Sequence, residues 1–261
     1  MVMPLTMVFQ MDLTKYRESD SEKIRTEDLM RLITGRGNTA LDIGARDGHF
    51  SKLLTEKYKN VIALDLEKPT MHHPNIMCVQ GDVTNLGFFD NSNDLVFCAE
   101  VLEHIPVPLL YKACSEISRV SKEYLLIGVP YKQDIRVGRT TCYTCGKKNP
   151  PWGHVNSFDE NRLAKLFPKF NICEVSFIGK SVTHTNIVSS ALMDFAGNPY
   201  GTYNQEEPCI HCNNRMLPPP FERSFLQKVS TRLAFYINNI QKPFLREHGN
   251  WIHILFKKIV L

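Results

Sequence analysis

The chain has 261 residues, 43% of them hydrophobic and 22% charged, which suits one large soluble α/β domain over residues 1–261 that buries its own core. No apolar run approaches the roughly 18 residues of a membrane-spanning helix, and a formal charge of +4 with a pI near 8.6 permits an anionic partner without requiring one. The opening stretch, residues 1–13, lacks the basic leader and small-residue cleavage site of a signal peptide. The eight cysteines are therefore expected in the reducing cytoplasm, which speaks against a disulfide framework.

Ser21 to Thr34 has helical spacing, with Ile24, Leu29, Leu32 and Ile33 near one face. A strand at Thr39–Ile43 then runs into glycine, followed by a helix over Phe50–Tyr58 and strands at Val61–Leu66, Ile76–Gln80 and Leu95–Ala99. Pro108–Val120 reads as a helix with proline in its first turn, and Tyr124–Val129 as a fifth strand stopped by Pro130. Strands alternating with helices imply a parallel sheet with right-handed crossovers. The rhythm breaks at Tyr131–Asn156. It resumes with a helix through Phe167, opened by the capping-box spacing of Ser157 and Glu160, and a strand at Ile172–Ile178. A second irregular stretch, Asn198–Pro220, precedes a helix at Phe221–Ile240 and a final strand at Trp251–Val260. Cys78, Cys98, Cys114 and Cys173 sit among apolar neighbours and read as small core residues.

The segment Leu41-Asp42-Ile43-Gly44-Ala45-Arg46-Asp47-Gly48-His49-Phe50 is the most informative. A strand enters a glycine turn that opens a helix, so the backbone can turn sharply and approach a ligand. Asp65, about twenty residues further on, closes the second strand, where a carboxylate can accept both hydroxyls of a ribose. This segment resembles the first motif of class I S-adenosylmethionine-dependent methyltransferases, acid-x-Gly-x-Gly-x-Gly, with Arg46 where the middle glycine usually stands. Gln80-Gly81-Asp82 resembles the family's loop after the third strand, and Asp94 to Ile105, including Glu100, its fourth strand and following loop. The resemblance implies a Rossmann-like, seven-stranded, mostly parallel sheet with helices on both faces and an antiparallel last strand around Trp251–Phe256. It implies that Asp42, Gly44, Gly48, Asp65, Asp82 and Glu100 hold the cofactor, with Asp65 on the ribose and Asp82 on the adenine. A dinucleotide fits worse, because Arg46-Asp47 break the Gly-x-Gly-x-x-Gly pattern.

Methyl transfer needs the acceptor atom held near the methyl group and, for a hydroxyl, somewhere for its proton to go. His104, just after the fourth strand, and His154, in Trp152-Gly153-His154-Val155-Asn156, are the candidate bases. The plainer reading gives His104 a place in the cofactor shell and lets His154 satisfy backbone groups ahead of its helix. Tyr16, Tyr131 and Trp152 are candidates for the acceptor pocket.

Cys142-x-x-Cys145 and Cys209-x-x-Cys212 have the form of zinc knuckles, two turns that together complete a four-thiolate shell around a structural Zn2+. A redox dithiol and incidental thiols are the rivals, and His211 could replace one cysteine. A shared ion would clamp inserts 131–156 and 198–220 into a small zinc-binding roof over the acceptor. Cysteine-bearing inserts with a Pro-Pro-Trp-Gly-His stretch are similar to those of methyltransferases from bacterial polysaccharide and secondary-metabolite clusters. The expected activity is methyl transfer to a small-molecule or glycan acceptor, on oxygen. The alternatives are an RNA methyltransferase gripping phosphates with Lys132, Arg136, Arg139, Lys147 and Lys148, and a non-catalytic adaptor that keeps the fold. The helix from Phe221 could lie on a membrane surface or pack onto its own domain.

Overall fold

The chain was analysed as a computed structural model that describes residues 17–219 and 222–259. The opening stretch 1–13, Tyr16, Pro220, Phe221 and Val260 lie outside the described residues. The first half alternates α1 (Asp20–Leu32), β1 (Gly37–Ile43), α2 (His49–Leu54), β2 (Tyr58–Asp65), β3 (Ile76–Gln80), β4 (Asn93–Ala99), α3 (Val107–Val120) and β5 (Ser121–Pro130). A small hairpin, β6 (Thr140–Thr141) with β7 (Lys148–Asn149), leads to α4 (Glu160–Leu166), β8 (Phe170–Ile178), α5 (Ile187–Phe195), α6 (Phe225–Gln241) and β9 (Trp251–Lys258). Seven strands form one sheet in the order β3-β2-β1-β4-β5-β9-β8, with β1 to β5 parallel and β9 antiparallel to both neighbours.

Successive residues of the central strands point to opposite faces, and both faces are covered. Leu41, Ile43, Val96, Cys98, Leu125 and Ile127 pack against Leu110 and Ile117 of α3 and Leu163 of α4. Ala40, Leu95, Phe97 and Leu126 pack against Leu29 and Leu32 of α1 and Phe50 and Leu54 of α2. Each fully buried Leu or Phe contributes about 1.5–3 kcal/mol, and this double burial explains why the strands read as continuous apolar runs. The Rossmann-like sheet expected from the sequence is the sheet that forms. Its parallel order brings the carboxyl ends of β1, β2, β4 and β5 to one edge, where ligands bind in folds of this kind.

Five details differ from the sequence reading. The helix expected over Phe50–Tyr58 ends at Leu54, and Tyr58 is the first residue of β2, paired in register with Gly37 of β1. The Tyr131–Phe158 bridge keeps the chain extended through Phe158, so α4 is capped by Asp159, which accepts from Arg162 N–H at 2.7 Å, and not by Ser157. Helix α5 is an addition, its start fixed by Asn186 accepting from Ser189 N–H at 2.8 Å. Cys173 is exposed, because β8 is an edge strand whose register slips between Ile172 and Glu174; Cys98 and Cys114 are buried and Cys78 half-buried. Helix α6, opened by a Ser224–Gln227 capping box, packs on α5 along a seam of small residues, Thr231 and Ala234, and leaves Phe225, Leu226 and Tyr236 exposed. The expectation that α6 packs onto its own domain holds only for that seam.

Candidate active site

Beyond β1 the chain turns at Gly44 (φ 79°), whose N–H and that of Ala45 both donate to Leu64 O, at 2.8 and 3.1 Å. A Cβ on Gly44 would collide with Val101, so the glycine is required by the neighbouring loop as well as by the turn. Arg46 keeps the left-handed geometry of the glycine it replaces (φ 42°), at a cost of about 1–2 kcal/mol. Its N–H donates to Asp65 Oδ2 at 2.9 Å, and its side chain reaches Glu206 at 3.0 Å. Asp65 Oδ1 also accepts from Leu66 N–H at 2.7 Å, which holds the carboxylate at the tip of β2 with lone pairs to spare. Asp82 sits after β3, exposed, in a turn that accepts Thr84 N–H at 2.7 Å. Gly48 opens α2 beneath Met71. Asp42 is buried; burial lifts its pKa to about 7, against the pull of Ser51 Oγ, which donates at 2.5 Å.

A cavity of about 740 Å3 opens at this edge. Gly44, Arg46 and Glu100 line it, as do His104, Trp152 and His154, whereas Asp42, Gly48, Asp65 and Asp82 stand outside its lining. Tyr131 and Trp251 form part of its wall, as do Thr202 and Asn204 to Glu207 of the second insert. Sequence reasoning missed Arg17 and Arg25, which also line it. Arg25 is buried and makes two hydrogen bonds to Glu22, at 2.7 and 2.8 Å, and approaches Glu100 at 3.8 Å. Glu100 has a left-handed backbone (φ 58°) and receives Trp251 Nε1–H at 3.4 Å; burial raises its pKa.

The two histidines meet edge to face, ring centres 4.6 Å apart. Their meeting is built by side chain–backbone bonds across fifty residues of sequence. Glu103 O accepts the N–H groups of Val155 and Asn156, at 2.8 and 3.2 Å, while Asn156 Nδ2 donates to Leu102 O and Ile105 O at 3.1 and 2.7 Å. Buried Asn156 thus staples the His154 loop to the loop after β4. Its signal in the sequence is only its place two residues beyond His154. His154 Nδ1 pairs with Gln133 Oε1 at 2.7 Å, an acceptor, which leaves Nε2 unprotonated in the neutral ring. Burial, then the charge of Arg46, lowers the His104 pKa to about 4; burial, then His104, lowers that of His154 to about 3. Both rings are neutral at pH 7.

The cysteine pairs converge. Cys142 Sγ lies 3.6 Å from Cys212 Sγ, Cys145 Sγ 3.6 Å from Cys209 Sγ, and all four lie within 4.8 Å of one another. The two knuckles share one backbone form: Cys142 N–H reaches Lys147 O and Gly146 N–H reaches Cys142 O, matched by Cys209 to Asn214 and Asn213 to Cys209. Gly146 and Asn213 occupy the same left-handed position, φ 71° and 58°. Burial opposes ionisation of Cys209, but the N–H groups of His211 and Cys212 outweigh it and bring the thiol to about 6. A tetrahedral shell with Zn–S near 2.3 Å needs sulfurs about 3.8 Å apart. The cluster therefore fits a metal ion. His211 is turned away, its Nε2 on Lys148 O at 3.1 Å, so it replaces no cysteine.

Residues 41–124 match the family described as a methyltransferase domain. The fold is that of a class I methyltransferase. Solved structures with this fold include the Burkholderia thailandensis 1,6-didemethyltoxoflavin-N1-methyltransferase with bound 1,6-didemethyltoxoflavin and S-adenosylhomocysteine, at 13% identity and TM-score 0.52 over 95% of this chain and 84% of that one. The N-methyltransferase NodS of Bradyrhizobium japonicum is similar at 14% identity and TM-score 0.51, over 94% and 99% of the two chains. The [4+2]-cyclase SpnF has the same fold at 14% identity and TM-score 0.51, over 94% and 86%. No curated protein matches the chain. The methyltransferase fold, with these relatives, leaves the acceptor open. Among the described residues no helix is long and apolar enough to cross a membrane.

Proposed function

We propose that the protein is a cytoplasmic S-adenosylmethionine-dependent methyltransferase that methylates an oxygen of a small-molecule or glycan acceptor. The observation that carries this reading is the single cavity joining the Gly44 turn and Glu100 to the His104–His154 pair. Bound S-adenosylmethionine would supply a methyl group already activated on a sulfonium. Asp65 would hold the ribose and Asp82 the adenine, with the Gly44 backbone beside the methionyl end. Glu100 is suited to the ammonium and sulfonium charges, and Arg17 and Arg25 to the carboxylate. The two neutral imidazoles form the wall that takes up the acceptor hydroxyl and its proton. Their neighbours Trp152 and Tyr131 give an acceptor a flat apolar surface, as sugars and rings prefer.

Cys142, Cys145, Cys209 and Cys212 would hold Zn2+ in a closed four-thiolate shell, which leaves no open position and makes the ion structural. It would clamp inserts 131–156 and 198–220 as the acceptor's roof. The RNA alternative is weakened by the ion pairs that occupy three of its five basic residues: Arg136 with Asp134 at 2.8 Å, and Arg139 and Lys148 with Asp194 at 2.9 and 2.7 Å. The exposed apolar side of α6 is flanked by Lys228, Arg232, Lys242 and Arg246 with no acidic residue among them, which suits peripheral contact with an anionic membrane. A radiolabelled methyl-transfer screen over sugars, lipids, small metabolites and RNA tests the proposal. Label in a sugar or small hydroxylated metabolite supports it, and label only in RNA overturns it.

A further inference from the structure

Glu103 is not used by any of the chemistry above. It is completely buried, and neither of its carboxylate oxygens has a hydrogen-bond partner. A carboxylate taken from water without a partner is strongly destabilising, by several kcal/mol when charged. Glu100 nearby adds repulsion, and burial pushes the Glu103 pKa well above the carboxylate range. Yet the fold fixes it there, its own carbonyl clamped by Val155 and Asn156 N–H. A carboxylate oxygen of Glu103, a ring nitrogen of His104 and a ring nitrogen of His154 lie within 4.8 Å of one another. Gln133 engages His154 Nδ1 and leaves Nε2 free, the outer hydrogen bond that ligating histidines ordinarily have.

We propose that Glu103, His104 and His154 bind one divalent transition-metal ion at the acceptor end of the cavity, distinct from the four-cysteine site. One carboxylate and two imidazoles with positions left open suit Mn2+, Fe2+ or Zn2+. Ligand distances of about 2.0–2.2 Å set the three atoms about 3.0–3.5 Å apart, so they must draw together by up to roughly 1.5–2 Å from the 4.8 Å bound; His104, open to the cavity, supplies that movement. The ion gives the buried carboxylate its missing partner.

This inference deepens the methyltransferase reading and rests on it. An acceptor hydroxyl entering an open coordination position is acidified and releases its proton to water. The oxygen then forms the new C–O bond as the methyl–sulfur bond breaks, its electron pair passing to sulfur. With the ion bound, the histidines act through it in place of the direct proton uptake described for the free imidazoles, since a ligating ring nitrogen has no lone pair left for a proton.

Full-length, zinc-loaded protein titrated with Mn2+ alone, with free ion followed by electron paramagnetic resonance, tests the site. One Mn2+ per chain is expected, with affinity falling at least about tenfold in Glu103→Gln and in His154→Ala. Glu103→Gln keeps the shape and removes a buried charge, so it should fold and retain its zinc. Failure to bind Mn2+ up to about 1 mM, or binding unchanged in both variants, overturns the site. S-adenosylhomocysteine calorimetry on the same samples separates the two readings. Cofactor binding without Mn2+ removes the ion alone, and absent cofactor binding removes the methyltransferase reading whatever Mn2+ does.

Discussion

The loops at the end of β1 and the roof above them are held by different forces. Around Gly44 the chain is fixed by the sheet itself: backbone bonds to Leu64, the Asp65 carboxylate on Arg46 N–H, and two apolar layers on either side of the strands. The roof has almost no core. Cys142, Cys209 and Met216 are its buried cluster, with Cys145, Tyr203 and Cys212 packed on it. Where the sheet edge needs no crosslink, so small a cluster offsets little chain entropy by itself, and the proposed metal would supply the crosslink. On the proposed reading, the Gly44 end of the cavity is preformed, and the end beneath the two inserts would be conditional on the four-cysteine metal.

Stripping that metal is the sharpest way to break the comparison. Chelation, or the double variant Cys142→Ser, Cys209→Ser, should open segments 138–153 and 198–216 to protease while the sheet keeps its melting temperature within a few degrees. Equal loss of both regions would show that they form one cooperative unit.

Asp42 probes the sheet side. Its folded pKa of about 7 lies above the ordinary 3.8, so it prefers to be protonated in the folded state. Its penalty is absent below pH 4, grows between pH 4 and 7, and is complete above 7. Asp42→Asn, which can still accept from Ser51, should therefore gain up to about 4 kcal/mol near pH 8 and nothing near pH 4. Denaturant unfolding across that range checks it, and a loss of stability at pH 8 would mean that the carboxylate is charged and matched.

Asn156 joins the two regions. Asn156→Ala removes the donor to Ile105 O, leaves Leu102 O with only the long bond from Ile105 N–H, takes away an acceptor of Arg162, and should cost about 2–3 kcal/mol. By releasing His154 it should lower methyl transfer much more than cofactor affinity, a split that steady-state kinetics would resolve.

The smallest effect is expected at Arg46. Arg46→Gly relieves a left-handed arginine but loses the Glu206 ion pair and adds unfolded-state entropy, so stability should change by less than about 1 kcal/mol. A larger loss would show that the Arg46–Glu206 contact holds the roof to the sheet.

The difference between the two regions also explains what the sequence made legible. The sheet and its glycine turn are written in short runs, Leu41–Phe50 and Asp94–Ala99, whose periodicity and turn residues act locally. The cysteines were legible as candidate ligands because Cys-x-x-Cys is a local shape, but their convergence depends on where β5 and α5 deliver the two inserts. Glu103 and Asn156 gave no warning, since their meaning lies in bonds between distant loops. Helix α5 was hidden because its only local marker is the Asn186 cap. Cys173 reads as apolar in sequence and becomes exposed through a register slip at an edge.

An adenosyl cofactor at the carboxyl edge of β1, β2 and β4 is the premise on which the proposed chemistry rests. Titration calorimetry with S-adenosylhomocysteine on the full chain tests this most directly. One molecule should bind per chain, with affinity weakened about tenfold to a hundredfold by Asp65→Ala through the loss of hydrogen bonds to a charged acceptor. An absence of heat and of any thermal stabilisation, with the protein folded, would contradict it.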